Sequence, residues 1–275
     1  MSNPAMFLLQ SAAGASLGAV AGSFLNVVIH RVPRLIDSHE GAVSVSEYVS
    51  GLAWPPSHCP GCSHRLAWRD NVPILSYFML GGRCRFCRQA YGPRYLVVEI
   101  AAAAAFAFCT ATLGFSANAF LSALFLGGLI ALTAIDIEEQ LLPDVLLAPL
   151  FCLGLAFHGL YGAGIPDALW GAAAGYGVLR LIGESYRLYS GVDGMGYGDV
   201  KFAGVIGAWL GLAAMPVVFA IAFTSGVALM LPFALSGRLA SRTAIPFGPF
   251  LAFGGFCAFA MPGLAAAMIR LFVPV

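Results

Sequence analysis

The sequence predicts an all-α polytopic membrane protein of about eight transmembrane helices, with a small cysteine-rich cytoplasmic domain inserted after the first. Three observations predict it. Of the 275 residues, 60% are hydrophobic and only 10% charged, where soluble domains are about a quarter charged, and the mean hydropathy is +0.86. The apolar residues gather in eight runs, most of them near the roughly 20 residues that span a bilayer. Eight of the fourteen basic residues (Arg31, Arg34, Arg65, Arg69, Arg83, Arg85, Arg88 and Arg94) fall between residues 31 and 95, which makes that block the one sizeable polar domain. The net charge of +1 says nothing about partners, and no nucleic acid is expected.

The first run, MFLLQSAAGASLGAVAGSFLNVVI, predicts a helix over about 6–30. No Lys or Arg precedes Arg31, so the run lacks the basic start of a cleaved signal peptide and reads as a retained helix. Asn26 and His30 near its end suit polar contacts inside a helix bundle. Residues 35–57 are the one stretch that reads as disorder-prone. Beyond the polar block, helices are expected over about 95–114, 118–136, 144–162, 166–188, 200–214, 216–236 and 246–270. Pro216, Pro232, Pro249 and Pro262 interrupt these runs, which membrane helices tolerate where neighbours satisfy the freed backbone groups. The chain thus divides into a first transmembrane helix, 1–30, a cysteine-rich domain, 31–95, and a transmembrane domain, 96–275.

Orientation follows from charge. With the Arg-rich block in the cytoplasm, Arg180, Arg187, Lys201, Arg238 and Arg242 also fall at cytoplasmic helix ends, and of fourteen basic residues only Arg270 lies outside. Two polar turns, IDIEEQLLPD and GVDGMGYGDVK, then share the cytoplasmic face.

Within the polar block, Cys59, Cys62, Cys84 and Cys87 form CxxC, 21 residues, CxxC. Two such knuckles joined by a hairpin suit one tetrahedral Zn²⁺, as in zinc-ribbon-like domains, and a metal staple lets a domain with so small a core fold. Disulfides or a redox pair are the alternatives, and a cytoplasmic location argues against ordinary disulfides. Four thiolates close the coordination sphere, so the metal is expected to be structural. His58 and His64 are surplus to the four cysteines and read as exposed, while Cys109, Cys152 and Cys257 sit in apolar helices as small hydrophobes.

Carboxylates at membrane depth are costly and call for a reason. Asp136 ends the run FLSALFLGGLIALTAI and has no structural reason of its own. Asp144, after Pro143, reads first as a helix N-cap. Asp199 reads equally as a cap or as a functional acid, and Gly194, Gly196 and Gly198 before it favour the second, since they permit unusual backbone conformations and leave room for an extended peptide. Two carboxylates on one face suit peptide hydrolysis, one ionised to activate water and one protonated to donate to the carbonyl oxygen. The turn does not match a phosphate-binding GxxxxGK[ST] loop. Lys201 reads as snorkelling to the interface, Glu99 as a partner for Arg94, and His158 as a packed histidine.

These motifs together resemble the type IV prepilin peptidases, bifunctional leader peptidase and N-methyltransferase enzymes of pilus and type II secretion systems. GSFLNVVIHRVP is similar to that family's first-helix motif, HCPGCSHRLAWRDNVPILSYFMLGGRCRFC to its cysteine domain, PRYLVVE to the start of its second helix, and IDIEEQLLPD and GYGDVK to its two aspartate motifs. The second is the GxGD signature shared with presenilin-like intramembrane proteases. The resemblance implies Asp136 and Asp199 as the catalytic pair and Cys59, Cys62, Cys84 and Cys87 as the metal set. It implies cleavage of the short basic leader of a prepilin or pseudopilin after glycine, at the cytoplasmic face of the bacterial inner membrane. Methylation of the new amino terminus by S-adenosylmethionine is implied too, with the cysteine domain as its neighbourhood and Gly82 as the candidate donor-site residue. Arg88 departs from the family, which often has glycine there. Two rival classes are a transporter whose acids carry protons or cations, and a noncatalytic scaffold docking through the cysteine domain; the clustering of the acids at one face favours the enzyme over the transporter.

Overall fold

The structure, a computed structural model, describes residues 4–38, 43–236, 246–264 and 267. Arg238, Arg242 and Arg270, used above to orient the chain, lie outside the described residues. Among the described residues there are ten α-helices and no β-strand beyond two isolated antiparallel bridges, His58 with Arg65 and Arg83 with Ala90. The chain divides into two compact units, Met1–Ala131 and Leu132–Val275.

In the first unit, α1 (Pro4–Asp37) packs along α4 (Arg94–Leu113). Gly14, Gly18 and Gly22, one turn apart, are buried in this crossing. A methyl group at Gly22 would come within 2.7 Å of the Glu99 Cα, and one at Gly18 would fall on the Ala102 carbonyl. Small residues every fourth position let two membrane helices approach backbone to backbone, where packing rather than hydrophobic burial holds them. On the outer side of α1, Leu8, Leu9, Val20 and Phe24 are exposed, the surface expected to meet lipid.

Part of the stretch expected to be disordered is helical. α2 (Val45–Ala53) begins on a capping box in which Ser44 and Glu47 satisfy each other's backbone N–H groups. At its far end, Arg31 donates to the Gly51, Leu52 and Pro55 carbonyls at 2.9, 3.1 and 2.6 Å, closing the acceptors that a helix terminus leaves open. The short α3 (Leu75–Leu80) follows in the cysteine block, and α5 (Ala117–Glu139) runs across the boundary between the units.

The second unit continues through α6 (Asp144–Tyr161), α7 (Ile165–Ser190), α8 (Tyr197–Leu210), α9 (Met215–Leu235) and α10 (Gly248–Ala260). Each of the eight apolar runs contains a helix among the described residues; the one expected over 246–270 is helical over Gly248–Ala260, and its end lies partly outside the described residues. Five segments, Pro4–Asp37, Arg94–Leu113, Ala117–Glu139, Asp144–Tyr161 and Leu212–Phe233, are long and apolar enough to cross a membrane. α8, with 14 residues, is about 21 Å long, short of the ~30 Å hydrocarbon core. It is nonetheless buried at every position from Phe202 to Trp209, packed against α7, α6 and α10. Its contact with α7 is again backbone to backbone, Gly207 meeting Gly171 and Ala203 meeting Gly175. Trp209 anchors it to α6 through a hydrogen bond from Nε1 to the Leu150 carbonyl, 2.7 Å. His158 is packed as expected, 7% exposed, with Nε2 2.8 Å from Asp167 Oδ2 at the start of α7.

Candidate active site

Both singled-out aspartates lie in the second unit, buried at helix ends: Asp136 in the last turn of α5, 5% exposed, and Asp199 in the first turn of α8, 9% exposed. They meet at a third helix end. The Gly248 N–H, first in α10, donates to Asp136 Oδ2 at 3.0 Å, the same N–H interacts with the Asp199 carboxylate, and Asp199 is within electrostatic reach of Asp136. Asp199 Oδ1 is buried without a hydrogen-bond partner. A closely placed carboxyl pair with a free acceptor is the arrangement that lets two acids share a proton.

Gly248 was not legible as a site residue from the run 246–270. Its signal is the Gly-Pro pair of PFGPF at the start of an apolar run, where proline takes the first helical turn and leaves the preceding N–H free. A Cβ at position 248 would lie 2.6 Å from Asp136 Oδ2 and 3.1 Å from its Cγ. Gly248→Ala is therefore expected to displace the Asp136 carboxyl and lower peptide cleavage by about 10- to 100-fold, since a misplacement near 1 Å has that cost; steady-state cleavage kinetics check it.

The glycines of GMGYGD serve space, not unusual backbone angles. None of Gly194, Gly196 and Gly198 is among the glycines with positive φ, and Gly196, the N-cap of α8, has an ordinary φ of −66°. A methyl group at Gly198 would press on the Leu142 side chain at 2.9 Å, and one at Gly194 would enter the Tyr186 ring. The cap reading fails for both other acids. Asp199 is the third residue of α8, and Asp144, the first residue of α6, makes no cap hydrogen bond; Pro143 stands at the cap position. Asp144 instead takes Lys201 Nζ on both oxygens, at 2.8 and 2.7 Å. Lys201 thus ties α8 to α6 rather than reaching free to the interface, and it lies 5.0 Å over the Tyr197 ring.

In the first unit, Cys59, Cys62, Cys84 and Cys87 converge, their four Sγ atoms all within 4.8 Å of one another. Cys59 Sγ is 3.6 Å from Cys87 Sγ, and Cys62 Sγ is 3.9 Å from Cys84 Sγ. A tetrahedron with 2.3 Å zinc–sulfur arms has edges of about 3.8 Å, so the thiols are spaced for one ion and too far apart for disulfides. N–H donation from Cys87 and Phe86 brings the Cys84 thiol down to about 6, so it presents a thiolate at neutral pH. His58 and His64 stay exposed, with the His64 ring against Phe86.

The two knuckles have the same build. Ser63 donates its N–H to the Cys59 carbonyl at 2.8 Å and Arg88 to the Cys84 carbonyl at 3.1 Å, and both residues sit at positive φ, 56° and 60°. Glycine at position 88 would suit that left-handed turn better than arginine. Arg88→Gly is expected to stabilise the cysteine domain by about 0.5–1 kcal/mol, seen as slower metal loss to a chelator. Glu99 is not simply a partner for Arg94: its Oε2 takes the Ile74 N–H at 2.7 Å. Gly82 is buried with φ 64°, and a Cβ there would meet the Tyr77 ring at 2.8 Å.

Residues 16–113 match the family model of the bacterial peptidase A24 N-terminal domain, and residues 123–231 match that of the type IV leader peptidase family. The prepilin leader peptidase/N-methyltransferase of Burkholderia pseudomallei is 41% identical over 260 residues, covering 90% of this chain and 84% of the relative. The protein of that name from Pseudomonas aeruginosa is 39% identical over 253 residues, covering 88% and 87%. That from Stutzerimonas stutzeri is 37% identical over 269 residues, covering 94% and 91%. No solved structure matches the chain.

Proposed function

We propose, from the premise that this chain belongs to the type IV leader peptidase family, that it removes the short basic leader of type IV prepilins or pseudopilins after a glycine and methylates the amino terminus so exposed. It is a multi-pass membrane enzyme, an aspartic endopeptidase with a second, methyl-transfer activity. The observation that carries the peptidase is the meeting of Asp136, Asp199 and the Gly248 N–H at one end of the second unit.

The ionised carboxylate of the pair takes a proton from water as that water attacks the scissile carbonyl, and the protonated partner donates to the carbonyl oxygen. Collapse of the tetrahedral intermediate passes a proton to the leaving amine and restores the pair to one shared proton. The Gly248 N–H fixes the Asp136 carboxyl in place. Gly194 and Gly198 let the turn before α8 close against Tyr186 and Leu142, which seats Asp199 at the helix end. Arg180 and Arg187 near this end support the cytoplasmic face of the bacterial inner membrane as the place of reaction.

The residues of the cysteine cluster fit zinc in number, type and spacing. Cys59, Cys62, Cys84 and Cys87 would hold it, and the ion's contribution is to staple a domain with little core. Residues 31–95 form the methyl-transfer region and residues 96–275 supply the peptidase, with S-adenosylmethionine as the methyl donor. Purified full-length protein incubated with a prepilin and methyl-labelled S-adenosylmethionine is expected to yield shortened, labelled product, with the two changes scored separately. Absence of both sinks the reading and returns the transporter or scaffold.

A further inference from the structure

The Gly248 N–H touches both carboxyls of the acid pair, but it does not place the backbone turns that carry them. Asp136 lies in the last turn of α5 and Asp199 in the first turn of α8. From α5 a strap, residues 140–143, leads to α6. It starts at Gln140, whose N–H donates to the Asp136 carbonyl at 3.0 Å and whose φ of 51° turns the chain out of the helix. It ends at Pro143, whose carbonyl takes the Leu146 and Leu147 N–H groups at 3.0 and 3.1 Å and opens α6. The strap thus has Asp136 at its near end and Asp144 just past its far end.

α8 meets this segment twice. Leu142, 8% exposed, lies against Gly198, where an added Cβ would stand 2.9 Å from the Leu142 Cβ. Lys201 donates from Nζ to both Asp144 oxygens, at 2.8 and 2.7 Å. Positions 198 and 201, three apart, share one face of α8, and they bracket Asp199. The same turn is tied to α7 as well. The Tyr197 and Tyr176 hydroxyls are 2.8 Å apart, and the Tyr197 ring carries the Arg180 guanidinium at 5.5 Å and Lys201 Nζ at 5.0 Å. Lys201 therefore takes part in both ties.

These ties matter because burial secures the other end of α8 more firmly than this one. From Phe202 to Trp209 the helix is buried at every position, whereas residues 191–197 leading into it are exposed apart from Met195. An ion pair with side chains 34% and 68% exposed adds little to overall stability. Its effect is on position, and a misplacement near 1 Å among reacting groups costs up to about 10²-fold. Both hydrogen bonds of the ammonium go to Asp144, so Lys201 acts through the strap and not as a donor to the acid pair. We propose that Lys201 and Asp144 are positioning residues for the peptidase: their ion pair closes the segment between Asp136 and α6 onto the first turn of α8 and so sets how Asp136 and Asp199 meet. The inference rests on the peptidase reading and deepens it.

The test is steady-state cleavage of a purified prepilin by full-length protein in detergent. Lys201→Met and Asp144→Asn are each expected to lower kcat by about 10- to 30-fold, with KM within about twofold of wild type. The double variant falls no further than the worse single one, since each substitution removes the same contact. Lys201→Arg, which offers the carboxylate two N–H groups, recovers kcat to within about threefold of wild type. Losses that multiply in the double variant overturn the pairing, and so does a Lys201→Met protein with raised KM at unchanged kcat, which places the lysine on the substrate. Should Lys201→Met fail to fold, Asp144→Asn decides alone, being a change at an exposed carboxylate: wild-type kcat in it overturns the proposal. A wild-type protein that cleaves no prepilin removes the peptidase reading itself, an outcome distinct from a cleaving wild type beside unimpaired variants.

Discussion

Asp136→Asn and Asp199→Asn are each expected to lower prepilin leader cleavage by about 10³-fold or more, with the protein still inserted and its metal content and donor binding unchanged. The size follows from what asparagine removes. An amide can neither accept the proton of the attacking water nor hold a transferable proton for the carbonyl oxygen, and a positioned acid or base contributes about 10²–10⁴-fold. On the proposed mechanism the two acids act as one unit sharing a proton, so the double variant should be no worse than the poorer single one. Asparagine keeps the shape of each side chain. At position 136 its amide oxygen can still accept the Gly248 N–H, so the helix ends stay assembled and the loss is chemical. Single-turnover cleavage of a purified prepilin measures it, and substantial activity in either variant would falsify the assignment.

Gel-shift cleavage assays in detergent also separate this outcome from the rivals. A scaffold tolerates both substitutions, and a transporter has no product to lose. The predicted face is consistent with that choice: the acids lie at helix termini beside the Lys201–Asp144 pair, not at the middle of a span.

Much of this was legible in the sequence because it depends on short-range rules. Apolar runs gave the helices, CxxC spacing gave the thiol cluster, and the cost of burying a carboxylate singled out Asp136 and Asp199. What was not legible depends on which helix faces which. Gly248 is 112 residues from Asp136, and no local pattern connects them. Asp144 looked like a cap because a cap is the commonest use of an acid at a helix start; its use as the partner of Lys201, 57 residues away, is a tertiary fact. The capping box at Ser44 and Glu47 was local and visible, yet the polar composition of residues 35–57 masked it. Glycines before an acid are compatible both with unusual backbone angles and with close packing, and only the tertiary contacts of Gly198 with Leu142 and Gly194 with Tyr186 show that close packing is the need.

Cys84→Ser is expected to strip the zinc and abolish methyl transfer, while leader cleavage stays within about twofold of wild type. Cys84 is the most telling of the four. It is buried, and N–H groups of Cys87 and Phe86 converge on its sulfur, so the knuckle is built around a thiolate there. Serine places a hydroxyl, which remains protonated, where those donors expect an anion. In zinc-finger peptides the metal supplies on the order of 10 kcal/mol to folding, and the knuckles here have two isolated bridges and little apolar core to replace it. Their collapse would unseat Tyr91 and Gly82 from the wall of the first unit's cavity. Asp136 and Asp199 belong to the other compact unit, which is why cleavage survives. The pH dependence has a definite sign. In metal-free protein N–H donation from Cys87 and Phe86 depresses the Cys84 thiol to about 6, so its thiolate is present at neutral pH and is lost as pH falls through about 6. Zinc uptake by metal-free wild-type protein should therefore decline through that pH. Metal content by mass spectrometry, with cleavage and methylation scored on the same samples, decides it: loss of zinc without loss of methylation would detach the cysteine domain from the methyl-transfer site.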